Sequence, residues 1–290
     1  MIIDMHIHSK CSDGKLPIEQ IIKKAKERKI DFLSITDHDS IKSQKRAAAL
    51  AQKADIQYVT GVELNVTFSQ PSLHGDKSVS LDFLGYQFNP DDGPLKSKLE
   101  VMAKFRKERA AKIFYNLNCE FGAQGIKKLT NRDIAAVEAS VDGVFGRPHI
   151  ADFLVKKRIV ATRQEAFDKY LVKCDVPKYP LHVDEASKLV RAAGGKLILA
   201  HPNDPHGTSL SVLTKDLPEQ TKIVQNSLLG FIDGVECWHS RNDAATTQHY
   251  FAFAKKHGLL MTGGSDCHQK PVIMGTVPVP EYVASQFTSN

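Results

Sequence analysis

The sequence is poor in cysteine and has no long apolar run. Its five cysteines are scattered, are odd in number and include no CxxC pair. A disulfide framework is therefore not expected, and the thiols are predicted to be reduced, as in a cytoplasmic protein. No apolar stretch approaches the ~20 residues of a membrane-spanning helix, so no membrane location is expected. Internal repeats and low-complexity tracts are also missing, and no feature points to an obligate protein partner.

A strong charge of one sign is lacking as well. Lysine and arginine number 39 against 33 aspartate and glutamate residues, which leaves a net charge of +6. This excess suits an anionic substrate but falls short of a nucleic-acid scaffold. The 42% apolar and 25% charged residues are typical of a protein that buries a core. At 290 residues, one large α/β domain or a core with an insertion is expected.

The first predicted strand, residues 1–9, carries two histidines in an apolar, β-branched run. His6 and His8 are two residues apart, so both imidazoles should project from the same face. Two buried imidazoles need partners, and a shared metal ion would satisfy both. A cleavable signal is not expected, because its removal would discard this pair.

Strands and helices alternate along most of the chain, which favours a parallel sheet or barrel. Most predicted strands lead into a polar turn, and sites in such folds gather at the carboxyl ends of the strands. The later strands are predicted at 31–36, 56–60, 79–86, 196–200, 233–238 and 259–262.

Side chains that ligate metals are concentrated at these turns. Eight nitrogen and oxygen donors suit two or three ions, bridged by a carboxylate such as Glu63. Imidazole and carboxylate donors without thiolate favour Mn²⁺, Fe²⁺ or Zn²⁺. Asp4, Asp37 and Asp39 either orient imidazoles or serve as turn carboxylates. The candidate ligands are His6, His8, Asp13, His38, Glu63, His201, Asp266 and His268, with either Asp82 or His74 as a ninth.

The pattern changes between residues 95 and 184, where no convincing strand is visible. Apolar residues recur there at helical spacing, and Thr130–Asp133 and Thr162–Glu165 have the spacing of capping boxes. We therefore predict a helical insertion at 95–184 within an α/β domain formed by 1–94 and 185–290.

Six motifs occur in order along the chain: His6-x-His8, Ser12-Asp13-Gly14, Thr36-Asp37-His38-Asp39, Gly61-Val62-Glu63, Ala200-His201-Pro202 and Gly264-Ser265-Asp266-Cys267-His268. Together they resemble the PHP (polymerase and histidinol phosphatase) family. Gly146-Arg147-Pro148-His149 narrows the resemblance to bacterial stand-alone phosphoesterases that act on nucleotides or short RNA.

The resemblance implies a distorted (β/α)₇ barrel, an insertion that covers its mouth, and two or three divalent ions. Mn²⁺ is the first choice, with Fe²⁺, Zn²⁺ or Mg²⁺ as alternatives. The chain departs from the family at Asp82, where a ligand histidine is usual. Aspartate can also ligate Mn²⁺ or Mg²⁺, and His74 in the preceding loop is the alternative.

Substrate-binding residues are expected in the insertion and the last loops. By resemblance, Arg147 and His149 should contact a substrate phosphate, which a helix N-terminus with a guanidinium favours. His239 and Arg241 follow a predicted strand and are candidates for a second phosphate or the leaving group. Arg109 is a weaker candidate, because basic runs on helices are usually solvated.

The leading hypothesis is hydrolysis of a nucleotide phosphomonoester, a 5′-monophosphate or a 3′,5′-bisphosphate, by a metal-bound hydroxide. Glu63, Asp266 and His201 are the candidate catalytic residues, the last two for proton transfer. The alternatives are 5′–3′ exonuclease action on short RNA, a metal-dependent amidohydrolase and a non-catalytic scaffold. Convergent cations argue against the amidohydrolase, and the eight retained ligands argue against the scaffold.

Overall fold

A computed structural model describes residues 1–69, 78–141, 145–205, 208–268 and 271–288. The strands are β1 (Ile3–Asp4), β2 (Phe32–Leu33), β3 (Gln57–Tyr58), β4 (Gly61–Ser69), β5 (Ser78–Tyr86), β6 (Lys196–Leu199), β7 (Gly234–His239) and β8 (Leu260–Gly264). The helices are α1 (Ile18–Glu27), α2 (Gln44–Lys53), α3 (Gly93–Ala123), α4 (Asn131–Glu138), α5 (Arg147–Lys156), α6 (Arg163–Ala166), α7 (Val183–Ala192), α8 (Leu217–Ser227), α9 (Ala244–His257) and α10 (Tyr282–Ser285). A π-helical turn spans Phe167–Leu171 and a 3₁₀ turn spans Leu210–Val212.

The strands form two sheets, and the mixed α/β class is confirmed. β1, β2 and β3 pair in parallel, as do β6, β7 and β8. The expectation of a parallel sheet throughout is wrong for β4 and β5, since β4 pairs antiparallel with β5 and β5 pairs antiparallel with β6. Gly61–Glu63, which was predicted as the turn after a strand, is instead the start of β4. Glu63 therefore lies inside β4, and Asp82 lies inside β5.

Backbone hydrogen bonds connect the two sheets on both sides. On one side, Met5 N donates to Gly263 O at 3.1 Å and His8 N donates to Cys267 O at 3.1 Å. On the other side, Asp39 N donates to Glu63 O at 2.7 Å. These bonds place the end of β1 beside the end of β8, and the segment after β2 beside β4. Residues that are distant in sequence are thereby brought close together.

Where the structure describes the segment between β5 and β6, its regular elements are helical, and one isolated bridge joins His182 to Thr67 of β4. It has an apolar core of its own, formed by α3 to α6 and the π turn. Thr130 and Asp133 form the predicted capping box, and the Thr162 side chain accepts from Glu165 N. Within the described ranges, no helix combines the length and apolar character that crossing a membrane requires.

Candidate metal centre

One carboxylate, that of Glu63, lies among four imidazoles from three other parts of the chain. Its Oε2 is 3.1 Å from His8 Nε2, 3.5 Å from His6 Nε2 and 3.0 Å from His38 Nδ1. Its Oε1 is 2.9 Å from His201 Nε2. Both His6 and His8 face Glu63, as their spacing in the sequence predicts. The arrangement places a single acidic side chain where it can bridge ions.

A second carboxylate, that of Asp266, faces the same group from the opposite end of the sequence. Its Oδ1 is 3.4 Å from His6 Nε2, 3.3 Å from His8 Nε2 and 3.3 Å from His268 Nδ1. Its Oδ2 accepts from Arg241 Nη1 at 3.1 Å. Asp266 therefore connects the histidines to a cation at the edge of the cluster.

Asp13 completes a further group at the loop after β1. Its Oδ1 lies 3.3 Å from His268 Nε2 and 3.7 Å from His8 Nδ1. The His8 and His268 rings stack with centroids 3.9 Å apart. Together with His38, these side chains offer donor atoms that all lie within 4.8 Å of one another.

The donor set fits divalent ions, because several of its buried polar atoms have no hydrogen-bond partner. An unsatisfied polar atom in the interior costs about 1–3 kcal/mol, so several at one place require another kind of partner. A cation would satisfy all of them at once. The atoms are His6 Nε2, His8 Nε2, Asp13 Oδ1, Glu63 Oε2 and His201 Nδ1.

The electrostatics of this cluster also favour positive charge. Burial lowers the pKa of His8, but the nearby carboxylates of Asp266 and Glu63 outweigh it and raise the pKa to about 10. Burial likewise lowers the pKa of His201, and the Glu63 carboxylate raises it to about 9. Although burial opposes the change, nearby histidines hold the pKa of Asp13 well below its usual range. Acidic groups therefore dominate the site and would attract cations.

Two of the candidate ligands have strained backbones. His201 has φ 24° and Asp266 has φ 53°, in the left-handed region that non-glycine residues rarely adopt. Hydrogen bonds fix both residues: His201 N donates to Glu236 Oε2 at 2.7 Å, and Asp266 N donates to His6 O at 2.8 Å. Strain of this kind costs about 1–3 kcal/mol and is concentrated at functional sites.

Glu236 is a functional residue that the sequence reasoning missed. It is fully buried in β7, and its Oε1 accepts from His6 Nδ1 at 3.0 Å. One carboxylate thus positions the ring of His6 and the backbone of His201. The signal was an acidic residue between Val235 and Cys237 in an apolar strand, since such a residue is rarely buried without a role.

Asp82 lies at the edge of the cluster, with donor atoms close to those of His38 and Glu63. Its carboxylate accepts from the Asn65 amide and the Thr208 hydroxyl. Burial, followed by the charge of Glu63, raises its pKa. Its position is compatible with ligation, whereas the alternative, His74, lies outside the described residues.

The cluster opens into a cavity of about 310 Å³. Asp13, His38, Glu63, Asp82 and Asp266 line its floor. Its remaining wall is rich in cations, which come mainly from the helical segment: Arg106, Arg109, Arg147, Lys178 and Arg241.

Three of the arginines are held in place by carboxylates. Arg109 and Arg147 both pair with Asp175, the latter at 2.5 Å. Arg109 is buried rather than solvated, contrary to the usual behaviour of basic helix residues. Arg106 pairs with Asp39, whose other oxygen accepts from the backbone of Asn65 at 3.0 Å. These three arginines are therefore fixed around the opening of the cavity.

The two histidines expected to bind substrate are placed differently from the arginines. His239 is buried behind the cluster, with its Nε2 3.5 Å from Asp266 Oδ2. His149 lies beside the cavity, where its Nδ1 accepts from Gly146 N at 3.1 Å and its ring also bonds the backbone of Ser12. Neither is among the residues that line the cavity. Contact of either histidine with substrate stays a prediction.

The hydrogen bonds of Asp4, Asp37 and Asp39 that the structure describes go to groups other than imidazoles. Asp4 accepts from the backbone of Ser265 at 2.9 Å, and Asp37 accepts from Ser9 N at 2.7 Å. They hold the loops that carry the candidate ligands, which agrees with the alternative that these residues are turn carboxylates. The carboxylate that orients an imidazole is that of Glu236, which contacts His6.

Comparisons with known proteins agree with this geometry. The PHP domain model matches residues 4–171. A 3′,5′-nucleoside bisphosphate phosphatase from Chromobacterium violaceum is 30% identical over 92% of this chain and 87% of the relative. The 5′-3′ exoribonuclease Rnm of Salmonella typhimurium is 25% identical over 93% of this chain and 86% of the relative.

The fold has a counterpart among solved structures. A candidate metal-dependent phosphoesterase from Bifidobacterium adolescentis superposes with a TM-score of 0.80 at 26% identity. The superposition covers 98% of this chain and 94% of that protein. The chain therefore belongs to the PHP domain family and is a metal-dependent phosphoesterase, a hydrolase of phosphate ester bonds.

Proposed function

We propose that the protein hydrolyses a phosphomonoester of a nucleotide, a 5′-monophosphate or a 3′,5′-bisphosphate. The observation that carries this proposal is that one cavity contains two features. Its floor is a cluster of side chains suited to metal ions, and its opening is lined by cations. The cavity, about 310 Å³, is at the lower end of the roughly 300–1,000 Å³ typical of small-molecule sites. The bisphosphatase among the relatives supports the same substrate class.

We assign the ions to three overlapping groups of residues. His6, His8 and Asp266 form one, and His6, Glu63 and His201 form the next. The remaining group contains Asp13, His38 and His268, and Asp82 would add an oxygen ligand beside His38 and Glu63. Mn²⁺ suits this mixture of oxygen and nitrogen donors. When bound, such ions lower the pKa of a water and neutralise phosphoryl charge. In this proposal the margins of the two sheets close into a distorted (β/α)₇ barrel.

The residues of the chain would orient the substrate around the cluster. Arg147 and Lys178 face the cavity from the helical segment, and Arg241 faces it beside Asp266. A guanidinium binds two phosphate oxygens with fixed geometry, which would align the phosphorus with the ions. His201 and Asp266 remain the candidates for holding the proton that the leaving oxygen takes up. We further propose that residues 95–184 act as an inserted cover for this opening.

The pH dependence of kcat/KM should reveal the titration of Lys178. Burial and the charges of Arg106, Arg147 and Arg109 lower its pKa, Asp82 opposes them, and the result is about 8. Since the ammonium is charged below that pH, kcat/KM should fall as pH rises through about 8. Lys178→Met should lower kcat/KM at pH 7 and abolish this limb of the profile. An unchanged limb in that variant would show that another group titrates.

The proposal is tested by phosphate release from AMP, adenosine 3′,5′-bisphosphate and a 5′-phosphorylated RNA oligomer, and by amine release from a small amide, each with Mn²⁺. We expect the nucleotides to be hydrolysed and the amide to be inert. Hydrolysis of the amide alone would favour an amidohydrolase. Protein that retains no metal and turns over none of the compounds would instead be a scaffold, and our proposal would be wrong.

A further inference from the structure

A second cavity, of about 300 Å³, lies on the other side of the loop that carries Asp13. Ser12 and Asp13 line both cavities, so this loop forms their common wall. The far side of the second cavity is made by α4 and α5 of the helical segment, including Phe153 and Lys156. The two cavities are therefore neighbours, separated by the loop that carries Asp13.

The second cavity has the charge that a phosphate requires. Lys10 and Lys15 line it from the loop, and Lys156 lines it from α5. Two acids, Asp13 and Asp152, also line it, and Arg163 donates to both oxygens of Asp152, one of them at 2.6 Å. Lys15 also contacts Asp152, so it is one of two cations that share that acid. Positive charge thus remains in excess in the second cavity.

An aromatic ring supplies the other element of nucleotide recognition. Phe153 is partly exposed in this cavity, and Lys157 Nζ lies 5.4 Å from its ring centroid. Proteins bind single strands by combining a basic groove with aromatic side chains on which bases stack. The neighbourhood of Phe153, Lys10 and Lys156 has both components within one cavity.

We propose that the second cavity binds the nucleotide adjacent to the one in the metal-lined cavity, in a short single-stranded oligonucleotide. Its phosphate lies among Lys10, Lys15 and Lys156, and its base stacks on Phe153. This inference rests on the proposed function of the first cavity. A short oligonucleotide should therefore bind more tightly than a mononucleotide, because the second site adds binding energy that a mononucleotide does not use.

The test measures binding to the full-length protein by fluorescence anisotropy. The probe is a 5′-phosphorylated tetranucleotide with phosphorothioate linkages and a 3′ fluorophore, and AMP binding is measured by calorimetry in parallel. The variants are Lys156→Ala and Phe153→Leu, which keeps an apolar side chain against the helical core. Lys127→Ala is the matched control, since this exposed lysine of the same helical segment lines neither cavity.

We expect Lys156→Ala to weaken tetranucleotide binding and to reduce the slope of log Kd against log salt by about 0.7, the value for one phosphate contact on a single strand. Phe153→Leu should weaken tetranucleotide binding by about fivefold or more through the lost stacking. AMP binding should stay within about twofold of wild type for both variants. The control should behave as wild type with either ligand.

Wild-type protein that does not bind the tetranucleotide, or variants that weaken AMP and the tetranucleotide equally, would overturn the second site. Phosphate release from adenosine 3′,5′-bisphosphate separately decides the proposed function. If phosphate is released but the variants have no effect, only the second site fails. If the tetranucleotide binds with the expected dependence on Lys156 but no phosphate is released, only the phosphatase proposal fails.

Discussion

Glu63→Gln is expected to lower phosphate release by at least about 10²–10³-fold while the protein remains folded. The physical reason is that Glu63 faces four imidazoles at 2.9–3.5 Å, and only a carboxylate can offer two anionic oxygens there. Glutamine has almost the same shape, so the packing of β4 should be kept. Loss of the charge would remove the bridge between the ions that we propose at this site.

The measurement combines steady-state kinetics, metal content and the thermal melting curve. Glu138→Gln, the same change at an exposed position of α4, serves as the control and should match wild type in all three. Near-native turnover in Glu63→Gln would contradict the bridging role. A variant that melts far below wild type would be replaced by Glu63→Asp, which keeps the charge but shortens its reach and should also lose turnover.

Glu236→Gln is expected to weaken metal binding by about 10–100-fold, the usual cost of removing a carboxylate that orients a metal-ligating histidine. Glu236 accepts from His6 Nδ1 at 3.0 Å. Its negative charge makes Nε2 of that imidazole more basic and therefore a stronger ligand for a metal ion. A glutamine can still accept from His6 Nδ1 through its amide oxygen, so the ring should stay in place, whereas its amide nitrogen cannot accept from His201 N. The defect should therefore appear in the affinity of the protein for the metal ion.

Metal titration monitored by activity separates this role from that of Glu63. Excess Mn²⁺ should restore most turnover to Glu236→Gln but not to Glu63→Gln. Glu219→Gln, a partly exposed glutamate at the start of α8, is the control. A Glu236→Gln protein that binds metal as tightly as wild type would show that the contact only stabilises the fold.

The sequence predicts the part of this site that follows from local periodicity. His6 and His8 share one face because strand side chains alternate, and both meet Glu63 as that rule requires. His201 follows the short parallel strand β6, where the expectation of a ligand at the strand's carboxyl end applies. These residues were found without knowledge of the tertiary structure.

Other features depend on contacts that periodicity does not specify. The antiparallel pairing of β4 with β5 was missed, because alternation of strands and helices elsewhere suggested a parallel sheet throughout. Glu236 was passed over because its role depends on contacts with His6 and His201, which are distant in sequence. Lys178 lies in a connecting segment, where local pattern does not show which cations turn toward the cavity.

Anomalous diffraction from crystals of the protein grown with Mn²⁺ and phosphate tests the central claim most directly. The account predicts two or three peaks within coordination distance of Glu63, Asp266 and the surrounding histidines, with phosphate between these peaks and Arg147. Peaks confined to the protein surface, or a fully loaded crystal in which Glu63 touches no ion, would contradict it.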